Sequence, residues 1–171
     1  MRKRTIRTVF KVILAALLMP AVLFLIGCES LNRRLPPMQV EISIREDGKL
    51  DFLRSDGSTI ASIIIEIADT PESREKGLMG RGPLDFSSGM LFVFQEVEPR
   101  NFWMRNTPAP LDMIFVGKDS CVLNISRRAK PMSDQPYHSK SAVKYVVEVR
   151  AGFADRYEID EGTRIRWHRR E

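Results

Sequence analysis

Two arginines and two carboxylates, Arg74, Arg81, Asp112 and Glu148, are the residue types in this sequence that could do chemistry together. An arginine presents a planar fork of donors that binds a carboxylate or phosphate group, so the four residues could form a recognition site. Asp112 and Glu148 could instead act as a general acid–base pair. Alternatively, the four side chains bond to one another and to free backbone carbonyls of loops. The sequence leaves these three interpretations open.

The stretch 101–115 adds further polar and aromatic residues to this set. Two strand-like pieces, 101–105 and 112–116, flank a connection that contains Asn106 and two prolines. Each proline lacks a backbone donor and favours extended geometry in the residue before it, so the connection cannot be helical. The stretch therefore predicts either a corner of the core or the rim of a site.

Alternation within this stretch separates core residues from contact residues. Phe102 and Met104 share one face of the first strand, and Trp103 lies on the other face among polar neighbours. Phe102, Met104, Met113 and Phe115 are predicted as core. An exposed Trp103 would be a platform for a sugar ring or another apolar face, whereas a second sheet would bury it. The candidate binding residues are Arg74, Arg81, Trp103, Asn106, Asp112 and Glu148.

Other kinds of site have little support. The chain contains no Gly-x-Ser-x-Gly elbow and no phosphate-binding loop, and His138 and His168 have no metal-ligand spacing. Methionines in the motif-like stretches could bind Cu(I), although methionine beside Leu and Phe more commonly fills gaps in a core. These methionines are Met79, Met90, Met104 and Met113. We therefore assign no catalytic residue, no metal and no cofactor.

The amino terminus indicates the compartment. Residues 1–7 are basic, residues 9–26 are largely apolar, and the run ends in Leu25-Ile26-Gly27-Cys28. This order is typical of a secretory signal. The final tetrapeptide resembles the lipobox of bacterial lipoproteins, which implies cleavage after residue 27 and acylation of Cys28. The alternative is an uncleaved anchor, since about 18 apolar residues can just span a bilayer.

Charge argues against a nucleic-acid partner. The chain carries 27 Lys and Arg residues against 22 Asp and Glu residues, and five of the bases but none of the acids lie within residues 1–27. The predicted mature chain is therefore neutral, which gives no electrostatic argument for binding nucleic acid. With Cys28 acylated, Cys121 is the one cysteine of the folded part, so no internal disulfide is expected.

The remaining sequence divides into a short tether, 28–38, and one domain, 39–171. Most of the domain alternates apolar and polar residues at a period of two, as in 143–149, which is typical of half-buried strands. A helix is predicted to begin at Thr70-Pro71, and 127–141 is predicted as a long loop. Eight to ten short strands with one or two short helices predict a mainly β fold, a compact antiparallel sandwich or barrel.

Several separate motifs resemble the family called domain of unknown function 192, over about residues 60–168. They are Arg74-x-x-Gly77-Leu78-Met79-x-Arg81, Gly89-Met90-Leu91-Phe92-x-Phe94, Phe102-Trp103-Met104-x-Asn106-Thr107, Pro110-Leu111-Asp112, Phe115, and Tyr145-x-Val147-Glu148-x-x-x-Gly152. The resemblance implies a compact, mainly β domain of sandwich type that is often exported or lipid-anchored. It implies no reaction, ligand or catalytic set.

These observations predict a lipid-anchored, non-catalytic binding module of the cell envelope that faces the periplasm. Glu29 after Cys28 favours the outer membrane, by resemblance to enteric lipoproteins, if the cell has two membranes. The expected partners are the membrane, through lipid at Cys28, and a small molecule or an envelope protein. The alternatives are an envelope enzyme that uses Asp112 and Glu148, or a structural component of an envelope complex. Carboxylates within about 10 Å across a cleft would favour the enzyme, and carboxylates on opposite faces would remove it.

Overall fold

The computed structural model describes residues 44–171, so the predicted signal peptide, Cys28, the tether 28–38 and the first residues of the domain lie outside the described part. Within it the chain forms nine strands and two short helices. They are β1 (Gly48–Leu53), β2 (Thr59–Ala68), α1 (Pro71–Lys76), β3 (Ser88–Glu98), β4 (Asn101–Phe102), β5 (Leu111–Val116), β6 (Val122–Ala129), β7 (Tyr137–His138), β8 (Val143–Arg150), α2 (Phe153–Arg156) and β9 (Arg164–Arg169). Among these residues, no helix has the length and apolar character that a membrane span requires.

Seven strands form one sheet in the order β6-β5-β8-β3-β2-β1-β9, and β4 pairs with β7 in a small second sheet. The predicted mainly β fold is confirmed. The large sheet is mixed, however, because β2 and β3 run parallel while its other neighbours are antiparallel. Parallel neighbours need a crossover connection, and the segment that contains α1 supplies it. A bridge between Cys121 and Arg164 brings the outer strands together at one end, but the described sheet does not close into a barrel.

The crossover helix α1 begins and ends for local reasons. Thr70 Oγ1 accepts from Ser73 N at 3.2 Å, and Ser73 Oγ accepts from Thr70 N at 3.0 Å, which satisfies donors that a helix start leaves free. Pro71 occupies the first turn, where its missing donor costs nothing. The helix ends at Gly77, whose φ of 46° favours glycine and where an added Cβ would lie 3.3 Å from the Phe92 ring.

Two apolar clusters cover the two faces of the large sheet. The first face carries residues such as Ile63, Ile65, Leu91 and Val147, together with Phe153 of α2. The second face carries Met90, Phe92, Met113, Phe115 and Val146, together with Leu78, Leu84 and Met104 from the loops that cover it. The four predicted core residues of 101–115 all belong to this second cluster, with Phe102 partly buried. The continuous apolar run of β3 therefore reflects a strand that is covered on both sides.

The predicted loop 127–141 is partly wrong. The strand β6 continues to Ala129, and Tyr137–His138 pairs with Asn101–Phe102 across the second face. A two-residue strand is too short to show a period in the sequence, so the alternation that reveals the longer strands is absent here. This small sheet places Phe102 against Phe92 and Phe115 of the second face.

Candidate functional site

A cavity of about 270 Å³ opens on the second face, between α1 and the small sheet β4–β7. We call it the Glu148 cavity, and its lining includes Arg74, Phe92, Phe94, Phe102, Trp103 and Glu148. Phe102 organises its walls, because its ring meets Phe92 edge-on at a centroid distance of 5.0 Å and Phe94 at 6.3 Å. Edge-to-face ring pairs of this kind are favourable, so the three rings form a packed aromatic wall.

Glu148 is the buried polar group of this cavity. It lies on β8 opposite Met90 of β3 and Met113 of β5, and its residue is 5% exposed. Within residues 44–171 its carboxyl forms no hydrogen bond or ion pair, and burial alone raises its pKa to about 8. At neutral pH the free carboxyl is therefore mostly protonated, and it faces a space instead of a protein donor.

Glu66 lies on the same face of the sheet, on the other side of Met90. Arg81 donates to both of its oxygens, Nη1 to Oε2 at 2.5 Å and Nη2 to Oε1 at 2.9 Å, and the backbone N–H of Arg45 donates to Oε2 at 3.2 Å. Burial acts to raise the pKa of Glu66, but these hydrogen bonds and the two guanidinium charges hold it below its ordinary value. Arg81 thus serves Glu66 and does not line the Glu148 cavity.

Asp112 lies on the opposite face from Glu148. Its Oδ1 accepts from the backbone N–H of Arg128 at 2.8 Å, and its Oδ2 accepts from the N–H of Ala154 at 3.0 Å. Asp112 is fully buried and ties the first turn of α2 to the end of β6. The interpretation of Asp112 and Glu148 as an acid–base pair is therefore wrong, because the sheet itself separates the two carboxyl groups.

Arg74 and Trp103 lie on the rim of the Glu148 cavity, whereas Asn106 does not line it. Arg74 Nη1 donates to the carbonyls of Asp69 at 2.6 Å and Val93 at 3.0 Å. Trp103 is 44% exposed, so no second sheet buries it within the described part of the chain. Asn106 has a φ of 53°, and its carbonyl accepts from Gly80 N at 2.7 Å, which makes it a turn residue.

The structure therefore brings together Arg74, Trp103 and Glu148, and it places Arg81, Asn106 and Asp112 elsewhere. Sequence reasoning missed Arg100, whose guanidinium lies 4.1 Å from the centroid of the Phe94 ring on the cavity lining. Its position next to the stretch 101–115 was the available signal. Phe94 carried no such signal, since an apolar run indicates burial but not an adjoining space.

Residues suited to metals do not converge in the described domain. No group of three or more His, Cys, Asp or Glu side chains within residues 44–171 could hold a metal ion. Met90, Met104 and Met113 are buried in the second cluster, as the packing interpretation of these methionines expects, and Met79 lines the Glu148 cavity. Cys121 is half-buried, and burial raises the pKa of its thiol.

The model of the family DUF192, described as Uncharacterized ACR, matches residues 52–167. The chain belongs to this family. The match confirms the resemblance that the separate sequence motifs indicated, and every residue of the Glu148 cavity named above lies within the matched segment.

Two crystal structures of similar proteins share the fold. A Sinorhizobium meliloti protein, described as a candidate transcription regulator, is 34% identical with a TM-score of 0.68, and the match covers 73% of this chain and 96% of that one. A protein of unknown function from Novosphingobium aromaticivorans is 34% identical with a TM-score of 0.66, covering 70% of this chain and 84% of that one. No curated protein matches this DUF192 chain.

Proposed function

We propose that this DUF192 protein is a lipid-anchored binding module of the cell envelope that takes a small molecule into the Glu148 cavity. The observation that carries the proposal is the buried carboxyl of Glu148, which faces the cavity without a partner among the described residues. A buried polar group without a hydrogen bond is costly, so such a group is normally satisfied by protein, water or ligand. A ligand donor would satisfy it here.

The dimensions and lining favour a small ligand over a protein segment. The cavity encloses about 270 Å³, which is close to the lower end of the range for small-molecule sites. Its walls combine aromatic rings with charged and polar side chains, a mixture that can both hold and orient a small molecule. Trp103 at the rim provides a flat apolar surface for the part of the ligand that remains outside.

The sequence of the amino terminus supports the envelope location. A basic segment, an apolar run and a lipobox-like Leu25-Ile26-Gly27-Cys28 favour export, lipid at Cys28 and a periplasmic domain, with Glu29 favouring the outer membrane. The expected contact with the membrane is thus made through lipid. The neutral mature chain gives no support to a nucleic-acid partner, although one similar protein is described as a candidate transcription regulator.

Lipid attachment is tested by substitution of Cys28. The full chain should incorporate labelled fatty acid, whereas Cys28→Ser should not, because serine offers no thiol for the first acyl transfer, and the variant should keep its amino-terminal segment uncleaved. Cys121→Ser is the matched control and should behave like the unaltered chain. Equal labelling of the Cys28→Ser variant would overturn the anchored assignment.

Small-molecule binding is tested with the full chain in detergent micelles. A panel of amines, carboxylic acids, sugars and neutral aromatic compounds is screened by thermal shift, and hits are confirmed by calorimetry. A hit should lose roughly tenfold in affinity, or about 1.4 kcal/mol, in Trp103→Ala. Val97→Ala, which also removes an exposed apolar side chain but lies outside the cavity lining, should keep the affinity. The absence of any hit across all four classes would overturn the proposal.

A second candidate function is proton transfer by Glu148 alone. A carboxyl with a pKa of about 8 beside a cavity is near the operating range of a general acid or base. Mass spectrometry of the bound compound after prolonged incubation separates the two functions. The binding module returns the compound unchanged, whereas the enzyme returns an altered one and loses that activity in Glu148→Gln.

A further inference from the structure

The fold itself shows how a carboxylate on the second face of the sheet is satisfied. Glu66, Met90, Glu148 and Met113 lie side by side on β2, β3, β8 and β5. At Glu66 the partner is a cation, the guanidinium of Arg81, which donates to both carboxylate oxygens. At Glu148 the corresponding place above the sheet is the Glu148 cavity. Both carboxyl groups lie on the same face of the sheet. Arg81 covers Glu66, whereas the cavity lies above Glu148.

The walls of the cavity have the chemistry that cations prefer. The rings of Phe92, Phe94 and Phe102 line it, and the face of an aromatic ring carries negative charge density. Phe94 already attracts two protein cations, since the guanidinium carbons of Arg100 and Arg74 lie 4.1 Å and 5.4 Å from its centroid. This observation is independent of Glu148 and shows that the ring of Phe94 accepts cations at its face, although Arg74 and Arg100 also place positive charge on the cavity lining.

We propose that the Glu148 cavity takes the ammonium head of a small organic cation, with the carboxylate of Glu148 as its counter-ion and the Phe rings as its walls. The inference rests on the proposed binding function and adds the class of ligand. On binding, the Glu148 carboxyl releases its proton to solvent, and the carboxylate that remains pairs with the ammonium group. No covalent bond of the ligand forms or breaks.

Other charged side chains around the cavity have protein partners or are exposed, although the Nε of Arg100 is buried without a hydrogen bond among the described residues. On α1, Arg74 donates to two backbone carbonyls, and Glu75 and Lys76 are exposed residues of opposite sign. Arg100, in the turn before β4, pairs with Glu98 at 2.6 Å and donates to the carbonyl of Glu96 at 3.1 Å.

The sheet contributes no further free charge near Glu148. The strand neighbours of Glu148 are the uncharged Met90 and Met113, and beyond Met90 the Glu66 carboxylate is bound by Arg81 and Arg45. Glu148 is thus a buried carboxyl of the lining that forms no hydrogen bond or ion pair within the described domain.

The test uses three probes of nearly equal shape that differ in charge. Choline carries a permanent positive charge, 3,3-dimethylbutan-1-ol is its neutral carbon analogue, and 3,3-dimethylbutanoate is an anionic analogue. Calorimetry with the full chain in detergent, at pH 6, 7.5 and 9, gives the affinity for each probe. Buffers of different ionisation enthalpy give the number of protons released.

Choline should bind at least tenfold more tightly than the neutral alcohol at pH 9, with the anion weakest. Because the carboxyl must lose its proton, choline affinity should rise about 100-fold between pH 6 and pH 9, with about one proton released per choline at pH 7. Choline has no titrating group of its own in this range, so the profile reports on the protein. These readouts need no variant.

Substitution then assigns the counter-ion. Glu148→Gln should remove both the preference for choline and its pH dependence, while Glu96→Gln, a change of an exposed carboxylate outside the cavity lining, should keep both. Equal affinity for choline and the neutral alcohol at pH 9, preference for the anion, or an unchanged profile in Glu148→Gln would each overturn the cation assignment. If only compounds of another class bind in the broader screen, the proposed binding function stands and the cation assignment fails. If no compound binds, both proposals fail.

Discussion

Glu66 and Glu148 are two buried carboxyl groups on one face of one sheet, with Met90 between them, and their pKa values move in opposite directions. Both lose water on folding, being 2% and 5% exposed. The guanidinium of Arg81 donates hydrogen bonds to both oxygens of Glu66 in place of water, so Glu66 keeps its charge. Glu148 has no such donor in the described chain and holds its proton instead.

Burial alone therefore does not decide whether a carboxyl group is protonated in this fold. A guanidinium from the loop after α1 reaches the first position, and the second position is left facing the Glu148 cavity. A structural carboxylate and a candidate binding carboxyl can therefore occupy equivalent depths. Four substitutions test the roles of these carboxyl groups and of the cavity.

The largest effect is expected from Glu66→Gln. Removing one partner of a buried ion pair leaves the guanidinium of Arg81 without its carboxylate, which typically costs about 3–5 kcal/mol of unfolding free energy. Urea unfolding at pH 7, followed by circular dichroism, measures the loss. Glu75→Gln, at an exposed position, should stay within about 0.5 kcal/mol of the unaltered chain. Equal losses in the two variants would show that Arg81 does not depend on Glu66.

Glu148→Gln should change the pH dependence of stability. The folded state holds the Glu148 proton more tightly than the unfolded state, because the pKa is about 8 in the fold and 4.5 ordinarily. Stability from this group is therefore complete below pH 4.5 and falls as pH rises through about 8, by roughly 2 kcal/mol between pH 5.5 and pH 7.5.

The variant lacks this loss, so the difference in unfolding free energy between Glu148→Gln and the unaltered chain should grow in favour of the variant from pH 5.5 to pH 7.5. Glu66→Gln provides the contrast, since the pKa of Glu66 is lowered and its contribution disappears at acid pH instead. Parallel pH profiles for Glu148→Gln and the unaltered chain would mean that Glu148 is charged in the fold.

Asp112→Asn should cost less than Glu66→Gln, about 1–3 kcal/mol, since one of the two backbone donors held by Asp112 loses its acceptor. The loss should leave ligand affinity unchanged, because Asp112 lies on the face away from the Glu148 cavity. Urea unfolding measures the first quantity and calorimetry the second. A variant that folds stably but loses its ligand would place Asp112 in the site after all.

Trp103→Ala should have the smallest effect on stability, within about 0.5 kcal/mol, because Trp103 is 44% exposed. Its effect should appear in ligand affinity instead. Thermal unfolding and calorimetry on the same sample separate the two. Loss of folding in this variant would make Trp103 a structural residue and remove it from the rim of the site.

Local signals in the sequence predicted many of the elements. Thr70-Pro71 predicted the start of α1, and the alternation in 143–149 predicted β8. Tyr137–His138 was missed because its pairing with Asn101–Phe102 is remote in sequence and two residues long. Of the six candidate binding residues, three line the cavity, and the other three perform tasks within the fold.

Local patterns in the chain indicated the family, the mainly β class and, in 101–105 and 143–149, which residues share a strand face, because alternation at a period of two is a local property. The sequence by itself did not determine which hydrogen-bond donor pairs with which buried carboxylate. Glu66 and Arg81 are 15 positions apart, and Asp112 and Ala154 are 42 positions apart. Only the tertiary structure brings those groups together and leaves Glu148 facing a cavity, since partners are set by which strands and loops become neighbours.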